Sequence, residues 1–284
     1  MESLESAIGN CKSCGTVLTG TYCSQCGEKV LDPKEKSIKA FFAGVFSAIT
    51  SLDGKFLHTL KIMIARPGEV SYQYMNGRRI PFYRPMSMFF VANLIYFLFP
   101  LFSSLNSNLY VQMNQLPHSR FATELVNKRI AAENIPFKTF EIRYNQQSTN
   151  MAKLVLVLMV FYFSIPISLV NFNRKMYFSY HLLVSLEACS LVILLNFVVL
   201  IWSIELIIYV AGLFGTDIRF FLYDNNVSWV SGALLIYILA QLEFRAYSVL
   251  GWRAYAKAAL LFGCFFIVLQ VYRGSLFFIT LWTL

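Results

Sequence analysis

Residues 182–214, LLVSLEACSLVILLNFVVLIWSIELIIYVAGLF, decide the class of fold. This run holds only two charged residues, Glu187 and Glu205. It exceeds the roughly 20 apolar residues that a helix needs to cross a bilayer core of about 30 Å. Only helices and closed barrels satisfy their own backbone polar groups inside lipid. The run therefore predicts a membrane-spanning helix.

The composition of the whole chain of 284 residues carries the same signal. Hydrophobic residues make up 57% of it and charged residues only 14%, whereas soluble domains carry about 25% charged residues. Five apolar runs predict an all-α polytopic membrane protein with about five transmembrane helices, and a sixth span stays open if one of the longest runs is broken. The predicted spans are residues 86–102, 152–172, 182–214, 227–244 and 254–284.

Basic residues predict the orientation of the transmembrane bundle, residues 86–284. The net charge is +9. If the amino terminus is cytoplasmic, most of the 24 lysines and arginines lie on the cytoplasmic side of the membrane. The loop FNRKMY (172–177) on that side is purely basic, whereas LFGTDIRFFLYDNN (213–226) on the other side has two aspartates. The positive-inside rule then predicts an external carboxyl terminus and an external loop at 103–151, which contains an amphipathic helix pattern over 120–134.

The amino-terminal segment CKSCGTVLTGTYCSQCG (11–27) has two identical cysteine pairs. Cys11 and Cys14 are spaced C-x2-C, as are Cys23 and Cys26, and a glycine follows each pair. Four thiolates complete a closed tetrahedral site, the pattern of structural zinc. We therefore interpret residues 1–32 as a zinc ribbon with Zn²⁺ as its structural cofactor. Disulfides are disfavoured in the cytoplasm.

Residues 33–85 link this ribbon to the first span and predict cytoplasmic juxtamembrane helices. Apolar positions recur at helical spacing from Phe41 to Leu52 and again from Phe56 to Ile64. Both segments are too short to span a bilayer, and Pro67 ends the second helix. Such amphipathic helices lie on a membrane face or pack beneath the bundle.

Three arginines precede the first predicted span within YMNGRRIPFYRP (74–85). Arg78, Arg79 and Arg84 fit ordinary positive-inside anchoring. A sharper hypothesis is that they form a site for phosphate or for anionic lipid.

The cysteine module and the segment LDGKFLHTLKIMIARPGEVSYQYMNGRRIPFYRP (52–85) together resemble a bacterial family of uncharacterised multi-pass membrane proteins. Members join a double-knuckle zinc ribbon to a juxtamembrane PG…YxxGxR…P block, a domain of unknown function. The resemblance covers about residues 10–90. It implies a bacterial inner (plasma) membrane protein and no assigned activity. The matching positions in the block are Asp53, Thr59, Pro67, Gly68, Tyr74, Gly77, Arg78 and Pro85.

Charged residues inside the predicted spans suggest a second functional class. Eighteen positions separate Glu187 from Glu205, so the two carboxylates would share one face of an α-helix. They would lie either in an ion pathway or at the two membrane interfaces. Arg273, in the last span, needs a partner or an interface, and Glu205 is its candidate partner.

These patterns favour a binding or scaffold protein that meets a protein partner at the cytoplasmic face. The alternative is a channel, pore or transporter with Glu187 and Glu205 in its pathway. No catalytic motif is present, which predicts that the protein is not an enzyme. Few basic or aromatic residues surround the cysteines, which disfavours nucleic acid as a partner. Assembly into a homo-oligomer stays open.

Overall fold

The computed structural model describes residues 10–18, 20, 22–28, 54–98, 108–172, 176–215 and 225–284. Outside the cysteine segment, the described residues form helices joined by turns, so the all-α prediction is confirmed. The predicted helix from Phe41 to Leu52 lies outside the described residues. The helices are α1 Gly54–Ala65, α2 Glu69–Met75, α3 Pro85–Leu98, α4 Leu109–Asn114, α5 Ser119–Glu133, α6 Phe137–Val170, α7 Phe178–Leu213, α8 Asn225–Arg245 and α9 Trp252–Thr283.

Four of these helices, α6 to α9, are long and apolar enough to cross a membrane. The helix at the first predicted span, α3, is apolar and has 14 described residues, and residues 99–102 of that predicted span lie outside the described part of the chain. The described part of the chain therefore contains four candidate spans and one shorter apolar helix. This arrangement makes the chain a multi-pass membrane protein in contact with the bilayer.

The longest apolar run forms one continuous helix with an irregular centre. In α7, Val192–Leu200 is π-helical and is flanked by α-helical turns on both sides. A π-helix bonds residue i to i+5, so it holds more residues per turn than an α-helix and changes which residues share a face. The first half of α7 is buried in the bundle, whereas most of Ile201–Leu213 is exposed and Ile208 is its buried residue.

Small residues allow α9 to pack closely in the bundle core. Ala254 and Ala258 of α9 are fully buried, and small side chains let membrane helices approach one another. Farther along α9, the Phe265 ring meets Phe163 of α6 edge to face at 5.5 Å. Asn93 of α3 donates from Nδ2 to the Lys153 carbonyl of α6 at 3.0 Å, which joins the short apolar helix to the bundle.

A second, smaller cluster covers one end of the bundle. It is built by α4, α5 and the first turns of α6, in the segment predicted to be external. Leu109, Val126 and Tyr144 are buried there against Phe277 of α9. This end cap is named the helical cap below.

Candidate metal centre and its attachment to the membrane helices

The two cysteine pairs form two turns of the same geometry. In the first turn, the Cys11 N–H donates to the Thr16 carbonyl at 2.7 Å, and the Gly15 N–H donates to the Cys11 carbonyl at 2.7 Å. The second turn repeats these bonds at 2.8 and 2.9 Å. The glycine that follows each pair has a positive φ, 81° and 72°, which a side chain would strain. Each turn is therefore a knuckle that aims two thiols at one point.

The four thiols converge as the spacing predicts. The Sγ atoms of Cys11, Cys14, Cys23 and Cys26 all lie within 4.8 Å of one another. Two cross-knuckle pairs, Cys11–Cys26 and Cys14–Cys23, are 3.5 Å apart, and all four cysteines are free thiols. A tetrahedral zinc ion with Zn–S bonds of about 2.3 Å places its sulfurs about 3.8 Å apart. The donor set and its spacing therefore fit a metal ion such as zinc.

Hydrogen bonding and desolvation shift the pKa values of two of these thiols in opposite directions. Hydrogen bonding with the Thr16 side chain lowers the pKa of Cys14 to about 6. A backbone hydrogen bond at Glu28 lowers the pKa of Cys26, but desolvation and the neighbouring cysteines outweigh it and raise that pKa to about 12. Four thiolates this close repel one another, and a divalent ion compensates that repulsion.

Glu28 attaches the second knuckle to the chain that follows α2. Its side chain is only 7% exposed. Its carboxylate accepts a hydrogen bond from Ser13 Oγ at 2.6 Å, within the ribbon. The same Oε2 atom accepts from the backbone N–H groups of Arg79 and Ile80, each at 3.4 Å. One buried carboxylate thus joins both knuckles to the chain between α2 and α3, residues 76–84, which is named the juxtamembrane segment below.

The first knuckle makes a second attachment to the same segment. Arg78 Nε donates to the Lys12 carbonyl at 2.8 Å. Gly77 adopts φ 87°, and a Cβ placed there would lie 3.0 Å from Lys12 Cδ. The absence of a side chain at Gly77 therefore leaves room for Lys12 to lie against the segment.

The juxtamembrane segment folds back on α1 and α2. The Tyr83 N–H donates to Thr59 Oγ1 at 2.7 Å, and Tyr74 Oη donates to the Tyr83 carbonyl at 3.2 Å. The Tyr83 ring also meets Phe56 edge to face at 5.6 Å. These contacts make α1, α2 and the segment that follows them one packed unit beneath the bundle.

A buried glutamate joins this unit to the membrane helices. The Glu187 carboxylate of α7 accepts hydrogen bonds from the Gly68 N–H at 2.8 Å, the Ser71 N–H at 2.8 Å and Ser71 Oγ at 2.5 Å. Its side chain is 2% exposed. Arg245 of α8 donates to the Pro67 carbonyl at 3.2 Å. The PG turn between α1 and α2 is therefore held by two helices of the bundle.

A cluster of three polar side chains lies where α6, α8 and α9 meet. Asn171 donates from Nδ2 to Glu243 at 2.8 Å and accepts from Lys257 Nζ at 2.5 Å. Lys257 and Glu243 also form an ion pair at 3.8 Å. Both Asn171 and Glu243 are buried. The hydrogen bonds and the ion pair satisfy polar groups that burial would otherwise penalise.

The other residues singled out in the sequence lie in three places. Arg78 and Arg84 are exposed and Arg79 is half-buried beside the ribbon. Glu205 is half-buried in the exposed half of α7, and the π-helical turns intervene between it and Glu187. Arg273 is half-buried in α9, where its backbone carbonyl accepts from Gln112 of the helical cap at 3.4 Å.

Sequence reasoning missed two residues that organise the site. Glu28 directly follows the second knuckle, and its position one residue after the glycine is the one signal that marks it. Ser71 lies in a segment that the sequence marks only as the start of a new helix after a proline. Its role depends on Glu187, which lies 116 residues farther along the chain.

The geometry thus defines a multi-pass membrane protein with a four-cysteine cluster that could bind a metal ion, attached to the bundle by a juxtamembrane helical unit. A family model described as "Protein of unknown function (DUF3667)" matches residues 53–97. The match covers α1 to α3 and the segment on which the ribbon lies, and it confirms the predicted resemblance in that block. No curated protein and no solved structure matches the chain.

Proposed function

We propose that the protein is a zinc-ribbon binding or scaffold protein of the bacterial inner membrane, which presents its ribbon to a protein partner at the cytoplasmic face. The attachment of the ribbon carries this proposal. Glu28 and the Lys12–Arg78 contact fix the ribbon beside the bundle. Val17 and Tyr22 of the ribbon remain 56% and 59% exposed. A rigid, fixed module with exposed apolar side chains suits recognition of a partner.

The metal in this proposal is a structural zinc ion held by the four cysteines. Bound to four thiolates, zinc supplies folding free energy to a module too small to build a core. Four cysteine ligands leave no open coordination position for a substrate or water. We therefore propose no catalytic role for the centre and do not place the protein among the enzymes.

The proposed orientation draws support from the end of the bundle at which the ribbon lies. The juxtamembrane unit contacts Arg245 at the end of α8. Lys257, in the first turns of α9, follows closely in the chain. Basic residues of short loops accumulate on the cytoplasmic side, so this end of the bundle is expected to face the cytoplasm.

The alternative class, a channel or transporter, receives less support from the geometry. Both carboxylate oxygens of Glu187 are engaged by backbone and hydroxyl donors, which suits a structural role. Glu205 lies in a half of α7 whose neighbouring side chains are mostly exposed. Ion flux through liposomes that is lost on substitution of either glutamate would favour the transport class instead.

Site-specific photo-crosslinking tests the proposed function. A photoreactive phenylalanine analogue replaces Tyr22 in the full chain expressed in bacterial cells. We expect a discrete protein adduct at Tyr22 that disappears in the Cys14→Ser background. Tyr110 of α4 is 58% exposed at the helical cap and provides a control of matched exposure. An absent adduct, or one that survives loss of the metal ligand, would contradict the proposal.

A further inference from the structure

We propose that the docked ribbon completes a surface that binds the phosphate headgroups of anionic lipids. The surface, here named the basic edge, consists of Lys12 from the first knuckle with Arg78, Arg79 and Arg84 from the juxtamembrane segment. The inference rests on the proposed metal-bound ribbon, because the fold of the first knuckle sets the position of Lys12.

Docking of the ribbon places Lys12 beside Arg78. The guanidinium of Arg78 is fixed by its bond to the Lys12 carbonyl at 2.8 Å. The Lys12 side chain lies against Gly77, where a Cβ would approach its Cδ to 3.0 Å. Both cationic side chains are exposed. Two residues that are distant in the chain thus present positive charge on one surface.

The other two arginines, Arg79 and Arg84, lie on the same packed unit as Arg78. Burial raises the pKa of the Tyr74 phenol, and the charges of Arg79 and Arg84 oppose that shift. Arg84 directly follows Tyr83, whose carbonyl accepts from Tyr74 Oη at 3.2 Å. Arg79 also donates its backbone N–H to Glu28, which ties it to the second knuckle.

Glu28 is an acidic residue close to this surface that would neutralise part of its charge if it were exposed. Glu28 is buried, and its Oε2 atom is directed to Ser13 Oγ and to the backbone N–H groups of Arg79 and Ile80. Its carboxylate therefore accepts hydrogen bonds inside the junction between the ribbon and the juxtamembrane segment and does not lie on the exposed face. The exposed face of the junction carries the lysine and arginine groups.

The position of the basic edge indicates the chemistry of its partner. Arg84 directly precedes Pro85, the first residue of the apolar helix α3, whose Met86 and Phe89 are buried in the bundle. The basic edge thus lies where the chain enters the apolar layer. Cationic side chains at this level meet lipid headgroups, and arginine pairs with phosphate oxygens through its fork of N–H donors.

Native mass spectrometry of the full zinc-loaded chain in detergent tests the inference. Phosphatidylglycerol and phosphatidylcholine are titrated separately, and bound lipids are counted. We expect Lys12→Gln to weaken phosphatidylglycerol binding several-fold and to leave phosphatidylcholine binding unchanged. This variant keeps the backbone carbonyl that anchors Arg78. Lys128→Gln removes another exposed cation, from α5, and is the control. Equal behaviour of the two variants would overturn the inference.

A second variant distinguishes the effect of ribbon docking on lipid binding from the effect of net charge. Glu28→Ala makes the chain more positive but removes the acceptor that holds the ribbon on its segment. Glu124→Ala makes the same charge change on exposed α5. We expect Glu28→Ala to bind phosphatidylglycerol several-fold more weakly than Glu124→Ala. Binding as tight as that of Glu124→Ala would show that net charge alone attracts the lipid. The metal content of each variant is measured in parallel, and a loss of zinc leaves the Lys12→Gln comparison decisive.

Inorganic phosphate distinguishes a membrane lipid from a soluble ligand of the same chemistry. Millimolar phosphate is added to the phosphatidylglycerol titration. Retained lipid binding is expected, because a lipid has acyl chains that contact the apolar surface beside α3 and inorganic phosphate has none. Displacement of the lipid by phosphate would overturn the assignment to lipid. The result is independent of the crosslinking experiment, because Lys12→Gln leaves the exposed Tyr22 and all four cysteines unchanged.

Discussion

Ser71 donates two hydrogen bonds to the buried carboxylate of Glu187, one from its hydroxyl at 2.5 Å and one from its backbone N–H at 2.8 Å. Ser71 belongs to the block that matches the domain of unknown function, whereas Glu187 lies far outside the match. The contact explains why an otherwise apolar run contains a carboxylate at this position. An acidic side chain buried here is compensated by three donors from the PG turn and the first turn of α2.

Removal of the Glu187 carboxylate should therefore detach α2 from the bundle. In Glu187→Ala, the N–H groups of Gly68 and Ser71 lose their acceptor in a buried place. Each unsatisfied buried group costs about 1–3 kcal/mol, so we expect a clear fall in the thermal unfolding midpoint of the purified protein. Limited proteolysis should also cut the PG turn faster.

Glu205→Ala is the matched control for this experiment. It removes a second carboxylate from the same helix, but from a half-buried position in the exposed half of α7. We expect a much smaller change in the midpoint. Equal destabilisation by the two substitutions would contradict a specific role for Glu187 in holding α2.

A substitution at Gly68 tests the same junction from the opposite side. Gly68 has φ 89°, and a Cβ there would lie 3.0 Å from Leu242 Cα and 3.1 Å from the Gln241 carbonyl. Backbone atoms of α8 cannot move aside as a side chain would. Gly68→Ala thus combines a strained φ with a steric clash, and we expect a loss of about 1–3 kcal/mol of stability.

The chain contains a suitable control glycine in α9. A Cβ at Gly263 would meet no heavy atom within 4 Å. Gly263→Ala should be neutral or slightly stabilising, since alanine favours a helix by about 1 kcal/mol over glycine. Thermal melts of the two variants provide the comparison, and a neutral Gly68→Ala would argue against the close approach of the PG turn to α8.

Local and periodic features were the ones that the sequence could predict. The C-x2-C spacing is local, so it predicts which thiols converge without information on tertiary contacts. Apolar runs of the required length predicted the long helices, because a bilayer core imposes a minimum length. The end of α1 at Ala65 follows from Pro67 in the same way.

Contacts between distant parts of the chain were beyond the sequence patterns. Glu187 and Gly68 are 119 residues apart, and neither hydropathy nor periodicity pairs a carboxylate with a turn so far away. The shared face inferred for Glu187 and Glu205 assumed α-helical geometry, and hydropathy carries no sign of the π-helical turns Val192–Leu200. The role of Glu28 is likewise invisible in the sequence, since its carboxylate accepts hydrogen bonds from a segment that folds back after α2.

Zinc content tests the metal centre directly. The full chain purified without chelator should contain one zinc ion per molecule. Cys23→Ser should lose most of it, because Cys23 is a buried member of the four-thiol cluster and serine oxygen is a poor substitute for thiolate. Elemental analysis measures the ratio of zinc to protein.

Cys264→Ser is the control for loss of a thiol. Cys264 is half-buried in α9 and belongs to no metal-ligand cluster among the described residues. Its zinc content should match that of the unsubstituted chain. A full zinc content in Cys23→Ser, or iron in place of zinc, would contradict the proposed centre.

Acid should weaken the helical cap through His118. His118 Nε2 lies 2.8 Å from Gln112 Oε1, and Gln112 donates to the Arg273 carbonyl at 3.4 Å, so the imidazole acts as donor at Nε2. The other ring nitrogen faces Gly274, where a Cβ would lie 3.7 Å away, and the ring stands 5.8 Å from that of Phe277. Desolvation in these surroundings lowers the pKa of His118 below its usual value.

The lowered pKa of His118 determines how the stability of the cap changes with pH. Because the imidazole takes up a proton less readily in the folded cap, the unfolded chain binds more protons as the pH falls below about 6.5. The contribution of neutral His118 to stability is complete above that pH and is lost below it. Thermal melts between about pH 7.5 and pH 5 should show a smaller acid-induced fall in His118→Gln than in the unsubstituted chain. His58→Gln, at an exposed position of α1, should keep the full acid sensitivity. If both variants kept it, protonation of His118 would not be what loosens the cap.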